Sequence, residues 1–148
     1  MTKHQLKEYC DAEFENIETV LSELFAVVKP KKPKYSTAEL AAVATFVHNY
    51  YNGVENILKR ILLYRHIKTG NSPTWHKDLL KISQNKAIIS KQLHDILANY
   101  LSFRHFFVHA YSFTLNWEEL KPLVRNIRKT LKRFKSEVHT YFEKLKQT

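Results

Sequence analysis

The segment RHFFVHAY, from Arg104 to Tyr111, places an arginine, two histidines and a tyrosine among bulky apolar residues. A histidine titrates near neutral pH and can act as a general acid or base, and an arginine can bind two phosphate oxygens at once. Charged side chains are rarely buried without a partner. Either this segment lies outside the core of the monomer, or its polar groups have a function.

Metal chemistry is one possibility, because His105 and His109 are four positions apart and would share a helix face, as two zinc ligands can. No acidic residue stands between them at the zinc-protease position, and no third ligand follows nearby. The chain also lacks a glycine-rich phosphate loop, a dinucleotide-binding fingerprint and a Cys-x-x-Cys pair. We therefore expect neither a metal nor a cofactor.

The chain has 148 residues, which favours one domain, and we assign residues 1–148 to a single helical domain. Its 2 glycines and 4 prolines are too few for a protein rich in sheets and turns. The single cysteine, Cys10, excludes an internal disulfide and fits a reducing compartment. With no secretory signal and no apolar run long enough to span a bilayer, we expect a cytoplasmic protein without a membrane partner.

The formal charge is +10, from 24 lysines and arginines against 14 aspartates and glutamates. Such a balance favours polyanionic partners, mainly RNA or DNA. A cationic soluble protein with no nucleic-acid role fits the same charge equally well.

Five helical segments are predicted, over about residues 2–28, 36–68, 75–82, 86–113 and 116–146. Capping signals begin two of them, Ser36 with Glu39 and Asn116 with Glu119. The second helix should end at Gly70. The last helix has an apolar stripe and a basic opposite face, which is either a solvated surface or a phosphate-binding flank.

Two features lie outside or interrupt this helical pattern. The KPKKPK loop, Lys29–Lys34, joins the first two helices, since two prolines stop a helix and four lysines stay in water. Gly53 lies inside the second helix and indicates either close packing or a tolerated defect. The predicted fold is all-α, an antiparallel up-and-down bundle of four to five helices.

The spacing of Arg104, His109 and Tyr111 is R-x4-H-x-Y. On a late helix of a small all-helical protein, this motif resembles the HEPN superfamily, and most closely the HepT and HepT-like proteins of HEPN–MNT toxin–antitoxin pairs. The stretches YYNGVENIL (50–58) and SPTWHKDLL (72–80) are also similar to HepT-like chains, so the resemblance covers most of residues 36–125. One departure is His105, since many HEPN proteins have a small polar residue, often asparagine, directly after the arginine.

The resemblance implies a metal-independent endoribonuclease toxin that acts on RNA as a homodimer, with two copies of the motif meeting in a cleft between protomers. It also implies a partner, an MNT-family nucleotidyltransferase antitoxin, which neutralises the toxin by adding AMP to the motif tyrosine. Carried over by position, the modified residue is Tyr111.

Within that framework, His109 acts as base or acid and Arg104 stabilises the charge that develops on the phosphate. Tyr111 binds the phosphate or positions the RNA, His105 supports either role, and Glu55 orients Arg104 from the second helix. If one helix continued through the motif, Arg104 and His109 would lie about 140° apart around its axis. A composite site between two protomers would relieve this separation.

Other interpretations of these residues remain open. Arg104 can be a structural ion-pair partner of Glu55 or Asp95, and His109 a helix histidine without a catalytic role. Tyr51, Trp75 and His76 are expected to be packing residues. At the level of function, the alternatives are a non-catalytic module that binds a nucleotide or a nucleotidyltransferase partner, and a structural adaptor with a basic face.

Overall fold

The structure is a computed structural model and describes residues 1–145, which form α-helices and no β-strand. The all-α prediction is confirmed. The six helices of this part of the chain are α1 (Lys3–Val27), α2 (Thr37–Tyr64), α3 (Trp75–Asn85), α4 (Lys91–Phe107), α5 (Trp117–Arg125) and α6 (Ile127–Lys144). A short 3-10 helix, Ser112–Thr114, precedes α5. The predicted end of the last helix, Lys146, lies outside the described residues.

Helices α1 and α2 are antiparallel, because later residues of α2 contact earlier residues of α1. The Asn56 amide donates to the Glu13 carboxylate at 3.4 Å. One turn further on, the Arg60 guanidinium lies 4.1 Å from the centre of the Tyr9 ring. The two helices bury their apolar stripes, which include Phe14, Ile17 and Leu21 of α1 and Val47, Val54 and Leu58 of α2.

The other neighbouring helices are antiparallel as well. His48 and Tyr50 of α2 meet Phe107 and Tyr100 of α4, with ring centres 5.1 and 5.3 Å apart. At the start of α4, the Ser90 backbone N–H donates to Glu137 of α6 at 2.6 Å. Contacts between Phe14 and Phe134, 5.7 Å apart, close the ring of helices from α6 back to α1. The result is an up-and-down four-helix bundle, with α5 and α6 sharing the fourth position and α3 in the α2–α4 connection.

Capping side chains set the starts of the first two helices. Thr2 with Gln5 and Ser36 with Glu39 both form complete capping boxes, and the second of these confirms the prediction. The end of α2 was predicted wrongly, since the helix stops at Tyr64 and not near residue 68. The buried stripe of α2 ends at Leu62, and His66 then turns the chain with a φ of 56°.

The helix predicted over residues 86–113 is also shorter at its start. Ala87 has a φ of 59°, which breaks the helical path, and α4 begins only after Ser90. The Ser90 hydroxyl accepts a hydrogen bond from the Leu93 backbone N–H at 3.1 Å. Ser90 was therefore the N-cap that the sequence interpretation overlooked, and the residues before it belong to a corner.

The predicted last helix is divided in two at Asn126. Pro122 lies inside α5, where its missing N–H removes one hydrogen bond of the helix. The Leu123 carbonyl, which would accept the N–H of Ile127 in an unbroken helix, accepts the Tyr100 hydroxyl at 2.6 Å. These two features weaken the turn just before the break.

Gly53 is a site of close packing, and the alternative of a tolerated defect is wrong. A Cβ atom at this position would lie 2.5 Å from Cγ1 and 2.8 Å from Cδ1 of Ile17 in α1. Glycine thus sets the distance between α1 and α2. Among the described residues, no helix is long and apolar enough to cross a membrane.

Candidate functional site

The predicted motif lies at the end of α4, and only its first part is helical. Arg104 and His105 belong to the last turn of the helix, which ends at Phe107 with Val108 as the C-cap. His109 lies in the following turn, and Tyr111 immediately precedes the 3-10 helix. The expectation of one helix through the motif was wrong, and with it the separation calculated from helix geometry.

After the end of α4, the next residue buried in the core is Leu115. Three backbone hydrogen bonds form the turn. The N–H groups of Val108, His109 and Ala110 donate to the carbonyls of Arg104, Phe106 and Phe107 at 3.1–3.3 Å. The segment after Arg104 is therefore a tight exit from the helix and not its continuation.

Arg104 is half-buried and has no structural partner that would explain its position. Its Nε atom is buried without a hydrogen bond, and no ion pair of Arg104 is present among residues 1–145. Asp95, one proposed partner, pairs with Lys91 and His94 at 3.0 Å. Glu55, the other proposed partner, makes no hydrogen bond with Arg104 in the described part of the chain. The structure thus leaves this guanidinium free to bind an anion.

Glu55 lies in the interior beside α3 and is only 3% exposed. Both of its carboxylate oxygens bond to Nδ1 of His76, at 2.8 and 3.0 Å. Trp75 stacks on His76 with ring centres 3.6 Å apart, and the Lys59 ammonium lies 5.0 Å from the centre of the Trp75 ring. A buried carboxylate is stable only with such partners, so His76 has a polar role that the packing interpretation missed.

The charges of Glu55 and Arg104 both affect the pKa values of two further residues, Tyr51 and His48. Burial raises the pKa of Tyr51, as do the charge and the close approach of the Glu55 carboxylate to its hydroxyl, while the Arg104 charge lowers it. Burial and Arg104 lower the pKa of His48, while Glu55 raises it. Since both charges act on both residues, the four side chains form one cluster. We call these four and His76 the α2 polar cluster, which consists of His48, Tyr51, Glu55, His76 and Arg104.

The α2 polar cluster contains further unpaired atoms. Within the described residues, the Tyr51 hydroxyl and Nδ1 of His48 are buried without a hydrogen bond. Nε2 of His48 lies 3.2 Å from the Asn52 amide, and its ring packs on Phe107. Sequence reasoning assigned Tyr51 to packing and did not consider His48. The signal available was their spacing, because positions 48, 51 and 55 share one face of a helix.

The remaining motif residues are exposed. The rings of His105 and His109 meet edge to face with centres 5.4 Å apart. The side chains of Tyr111 and Phe113 stack at 5.4 Å and are 70% and 74% exposed. Phe106 and Val108 are also exposed large apolar residues. This end of the bundle therefore presents two histidines and a tyrosine on an uncovered apolar surface, close in sequence to Arg104.

Metal-ligand and thiol chemistry find little support in the side chains present. Within residues 1–145, no group of three or more histidine, cysteine, aspartate or glutamate residues is arranged to hold a metal ion. Burial raises the pKa of Cys10 to about 12, which keeps the thiol protonated at neutral pH. Histidine side chains can take part in acid–base catalysis and an arginine can bind a phosphate, so the residue types at this end of α4 are compatible with both.

Comparison with known proteins assigns the class. The model of the HepT-like protein family matches residues 42–145, more than half of the chain, and includes the whole motif. The chain belongs to the HepT-like family. A search of curated protein sequences found no significant match.

Two solved structures share the fold. The cytosolic protein of unknown function YutE from Bacillus subtilis superposes with a TM-score of 0.69 at 14% identity, covering 93% of this chain and 90% of that one. A chain of a mutant toxin–antitoxin complex, MntA–HepT, gives a TM-score of 0.67 at 14% identity, covering 93% of this chain and 99% of that one. At this identity the likeness shows a common fold.

Proposed function

We propose that this HepT-like protein is the metal-independent endoribonuclease toxin of a HEPN–MNT toxin–antitoxin pair. The observation that carries the proposal is Arg104, a half-buried arginine with an unpaired Nε atom, just before the exposed His109 and Tyr111. Membership of the HepT-like family and the fold shared with a toxin–antitoxin complex support the same function. The proposed site of action is the cytoplasm.

In the proposed reaction, His109 removes the proton from a ribose 2′-OH, and the 2′ oxygen attacks the adjacent phosphorus. A bond from phosphorus to the 2′ oxygen forms, the bond to the 5′ oxygen breaks, and that oxygen leaves with a proton from a second histidine. Arg104 binds the phosphate oxygens as negative charge develops on them. His105 contacts the His109 ring and is placed to keep it in position.

A homodimer completes this site. Phe106, Val108 and Phe113 leave an apolar surface uncovered around the motif, and such a surface usually marks an interface. A second protomer packed on it would bring a second His109 and Arg104 to the same cleft. The acid and the base of the reaction would then come from different chains.

The α2 polar cluster supports the site from behind. The Glu55–His76 pair places one buried negative charge within electrostatic range of Arg104, through Tyr51 and His48. We assign Glu55 as a positioning residue that acts on Arg104 through this cluster rather than by direct contact. This revises the direct bond expected from the sequence.

Neutralisation would occur at Tyr111. Its side chain is 70% exposed, so a nucleotidyltransferase antitoxin of the MNT family can reach the hydroxyl. The phenol oxygen attacks the α-phosphorus of ATP, pyrophosphate leaves, and AMP remains on the tyrosine. The added phosphate places a negative charge where the RNA phosphate must bind.

The test is RNA cleavage in EDTA by protein produced without a partner, with its intact mass recorded. We expect wild type to cleave, and Arg104→Ala and His109→Ala each to lower the rate by about 10²–10⁴-fold. His139→Ala removes an exposed histidine of α6 and should cleave like wild type. Retained cleavage in both motif variants would refute the assigned roles.

Two other outcomes are informative. Wild-type protein that has its unmodified mass and does not cleave would favour the alternative, a non-catalytic module that binds a nucleotide or a nucleotidyltransferase. Inactive protein with added mass in steps of AMP on Tyr111 would be the neutralised toxin, and removal of that mass should restore cleavage.

A further inference from the structure

A groove of about 480 Å³ lies beside the KPKKPK loop, between the end of α1 and helix α5. It is lined by Phe25, Val28, Lys29, Pro30, Lys32, Tyr35, Trp117, Lys121, Val124 and Arg125. Among these residues of the described chain are four cations and no acidic side chain. Four other surface grooves, of 330–850 Å³, each include at least one glutamate. The groove at the KPKKPK loop is thus distinguished by its charge.

Aromatic rings lie among these cations. Tyr35 and Trp117 are both half-buried and pack with ring centres 4.6 Å apart. The Lys32 ammonium lies 5.2 Å from the centre of the Tyr35 ring. Aromatic side chains within a positively charged groove are the common means of holding single-stranded nucleic acid, because bases stack on the rings while cations bind phosphates.

Most of the positive charge here is available for a ligand. Lys32 pairs with Glu39, and the Lys29 ammonium donates to the Phe25 carbonyl at 3.2 Å. Within residues 1–145, Lys121 and Arg125 form no ion pair. Lys31 and Lys34, the remaining lysines of the KPKKPK loop, are exposed and likewise form none.

The groove and the motif lie at the same end of the bundle. In the up-and-down bundle the KPKKPK loop, which joins α1 to α2, lies at the same end as the segment from α4 to α5 that carries the motif. Tyr35, just before α2, packs on Trp117 at the start of α5 with ring centres 4.6 Å apart. Trp117 follows Tyr111 by six residues, so their Cα atoms are at most about 21 Å apart. One extended strand could therefore occupy both places.

We propose that this groove is a second RNA-binding site, which holds single-stranded RNA flanking the cleaved phosphodiester by stacking on Trp117 and by contacts with Lys121 and Arg125. The inference rests on the proposed ribonuclease function and adds a substrate preference to it. RNA with an unpaired flank should bind more tightly than RNA that ends at the cleavage site or remains paired beyond it.

Trp117 itself provides the measurement, because the chain has only 2 tryptophans. In Trp75→Phe protein, all tryptophan emission comes from Trp117. We would titrate this variant with a 2′-O-methyl oligonucleotide of about ten residues, a length within the usual range of such sites. The probe has no free 2′-OH, so binding is measured whether or not the protein cleaves RNA. The Trp117→Phe protein, which retains only Trp75, is the optical control.

We expect saturable quenching in Trp75→Phe protein and none in Trp117→Phe protein. Trp117→Ala, which removes the aromatic ring, should weaken binding by about tenfold to a hundredfold, measured as anisotropy of a labelled probe. In the Trp75→Phe protein, the added pair Lys121→Ala and Arg125→Ala should weaken quenching. The pair should also lower the slope of the logarithm of the binding constant against the logarithm of the salt concentration by about 1.4, the value for two phosphate contacts on a single strand.

The matched control adds Lys81→Ala and Lys86→Ala instead, which removes the same charge from exposed positions in and after α3. This pair should leave affinity and slope close to those of the parent. Equal weakening by both pairs would mean general attraction to a cationic protein and would overturn the proposal. Circular dichroism of each variant establishes that it is folded.

The remaining outcomes separate this inference from the ribonuclease itself. Binding by anisotropy without quenching of Trp117 would overturn the groove and leave the proposed cleavage intact. Quenching by polyglutamate but not by the oligonucleotide would assign the groove to an acidic protein partner and would also overturn the inference. Failure of the ribonuclease proposal would show instead as absent RNA cleavage by unmodified wild type.

Discussion

The two faces of helix α2 differ in what they contact. One face lies against α1, where Gly53 meets Ile17, Asn56 meets Glu13 and Arg60 stacks on Tyr9. The other face carries the α2 polar cluster toward α3 and α4, with buried atoms that have no hydrogen-bond partner. The first face is close-packed with its polar groups paired at its rim. The second retains the unpaired polar atoms, and it lies behind the motif.

Polar groups are paired on the α1-facing side of α2 and are left unpaired on its other side. Unpaired polar groups cost stability, and in α2 they are concentrated on the face that is turned toward α4. Residues of the α1 face should therefore control folding, and residues of the α2 polar cluster should control both folding and cleavage. The following changes test this division.

The largest effect is expected for Glu55→Ala, which leaves His76 and Arg104 without the buried carboxylate of the α2 polar cluster. Breaking such a pair should lower the free energy of unfolding by about 3 kcal/mol, measured by urea denaturation. The control Glu18→Ala removes an exposed glutamate 3.8 Å from Lys135 and should cost less than about 1 kcal/mol. Equal effects of the two changes would mean that the buried Glu55–His76 pair contributes no more to stability than an exposed ion pair.

Gly53→Ala tests the α1 face. The new methyl group would overlap Ile17, and overpacking of about 1–3 kcal/mol exceeds the roughly 1 kcal/mol that alanine gains in a helix. We expect a net loss of up to about 2 kcal/mol in the free energy of unfolding, with RNA cleavage per folded molecule unchanged.

Ile17→Ala provides the matching rescue, because it removes both Cγ1 and Cδ1, which would lie 2.5 and 2.8 Å from the new Cβ. Gly53→Ala should cost less in the Ile17→Ala background than in wild type. Strictly additive effects would mean that Ile17 does not limit the approach of α2.

A smaller effect distinguishes two buried tyrosines. The Tyr51 hydroxyl has no hydrogen-bond partner in the described chain, whereas the Tyr100 hydroxyl donates to the Leu123 carbonyl at 2.6 Å. Tyr51→Phe should leave the free energy of unfolding unchanged or raise it by up to about 1 kcal/mol, and Tyr100→Phe should lower it by about 1 kcal/mol. A loss in Tyr51→Phe as large as in Tyr100→Phe would show that Tyr51 is satisfied.

The smallest effect concerns pH. Burial and the Arg104 charge lower the pKa of His48 in the folded chain, although Glu55 opposes this. The unfolded chain therefore binds a proton at His48 more readily, so stability is lost as pH falls below about 6.5. The stability of wild type relative to His48→Gln, measured by thermal unfolding, should fall on acidification through this range. A difference independent of pH would contradict the assignment.

Much of the fold could be predicted from side-chain pattern because apolar periodicity and caps act locally. Ser36 with Glu39 began a helix as expected, and the low glycine content correctly favoured an all-α fold. The start of α4 had a local signal, the Ser90 N-cap, which the sequence interpretation overlooked. The break in the last helix had a distant cause as well. The division of the last helix coincides with a hydrogen bond from Tyr100, which lies 23 positions from Leu123.

The candidate site was predictable in its exposed part. The resemblance of the R-x4-H-x-Y motif to HepT-like proteins singled out Arg104, His109 and Tyr111, and the structure places them at one end of α4. The support behind them was not predictable, since the Glu55–His76 bond joins residues 21 positions apart on different helices. His48 did carry a local signal, since it shares a helix face with Tyr51 and Glu55, but its packing depends on Phe107 of α4.

The end of α4 between Arg104 and His109 has an entropic consequence. Ordering a loop residue costs about 1–2 kcal/mol of conformational entropy. Here the turn is held by backbone hydrogen bonds at Val108, His109 and Ala110, and the next segment by the N–H of Thr114 on the Tyr111 carbonyl at 2.9 Å. That ordering is completed when the monomer folds, so substrate binding does not have to supply it. Slow hydrogen exchange at these four amides would be the signature of a loop that is already arranged before its ligand arrives.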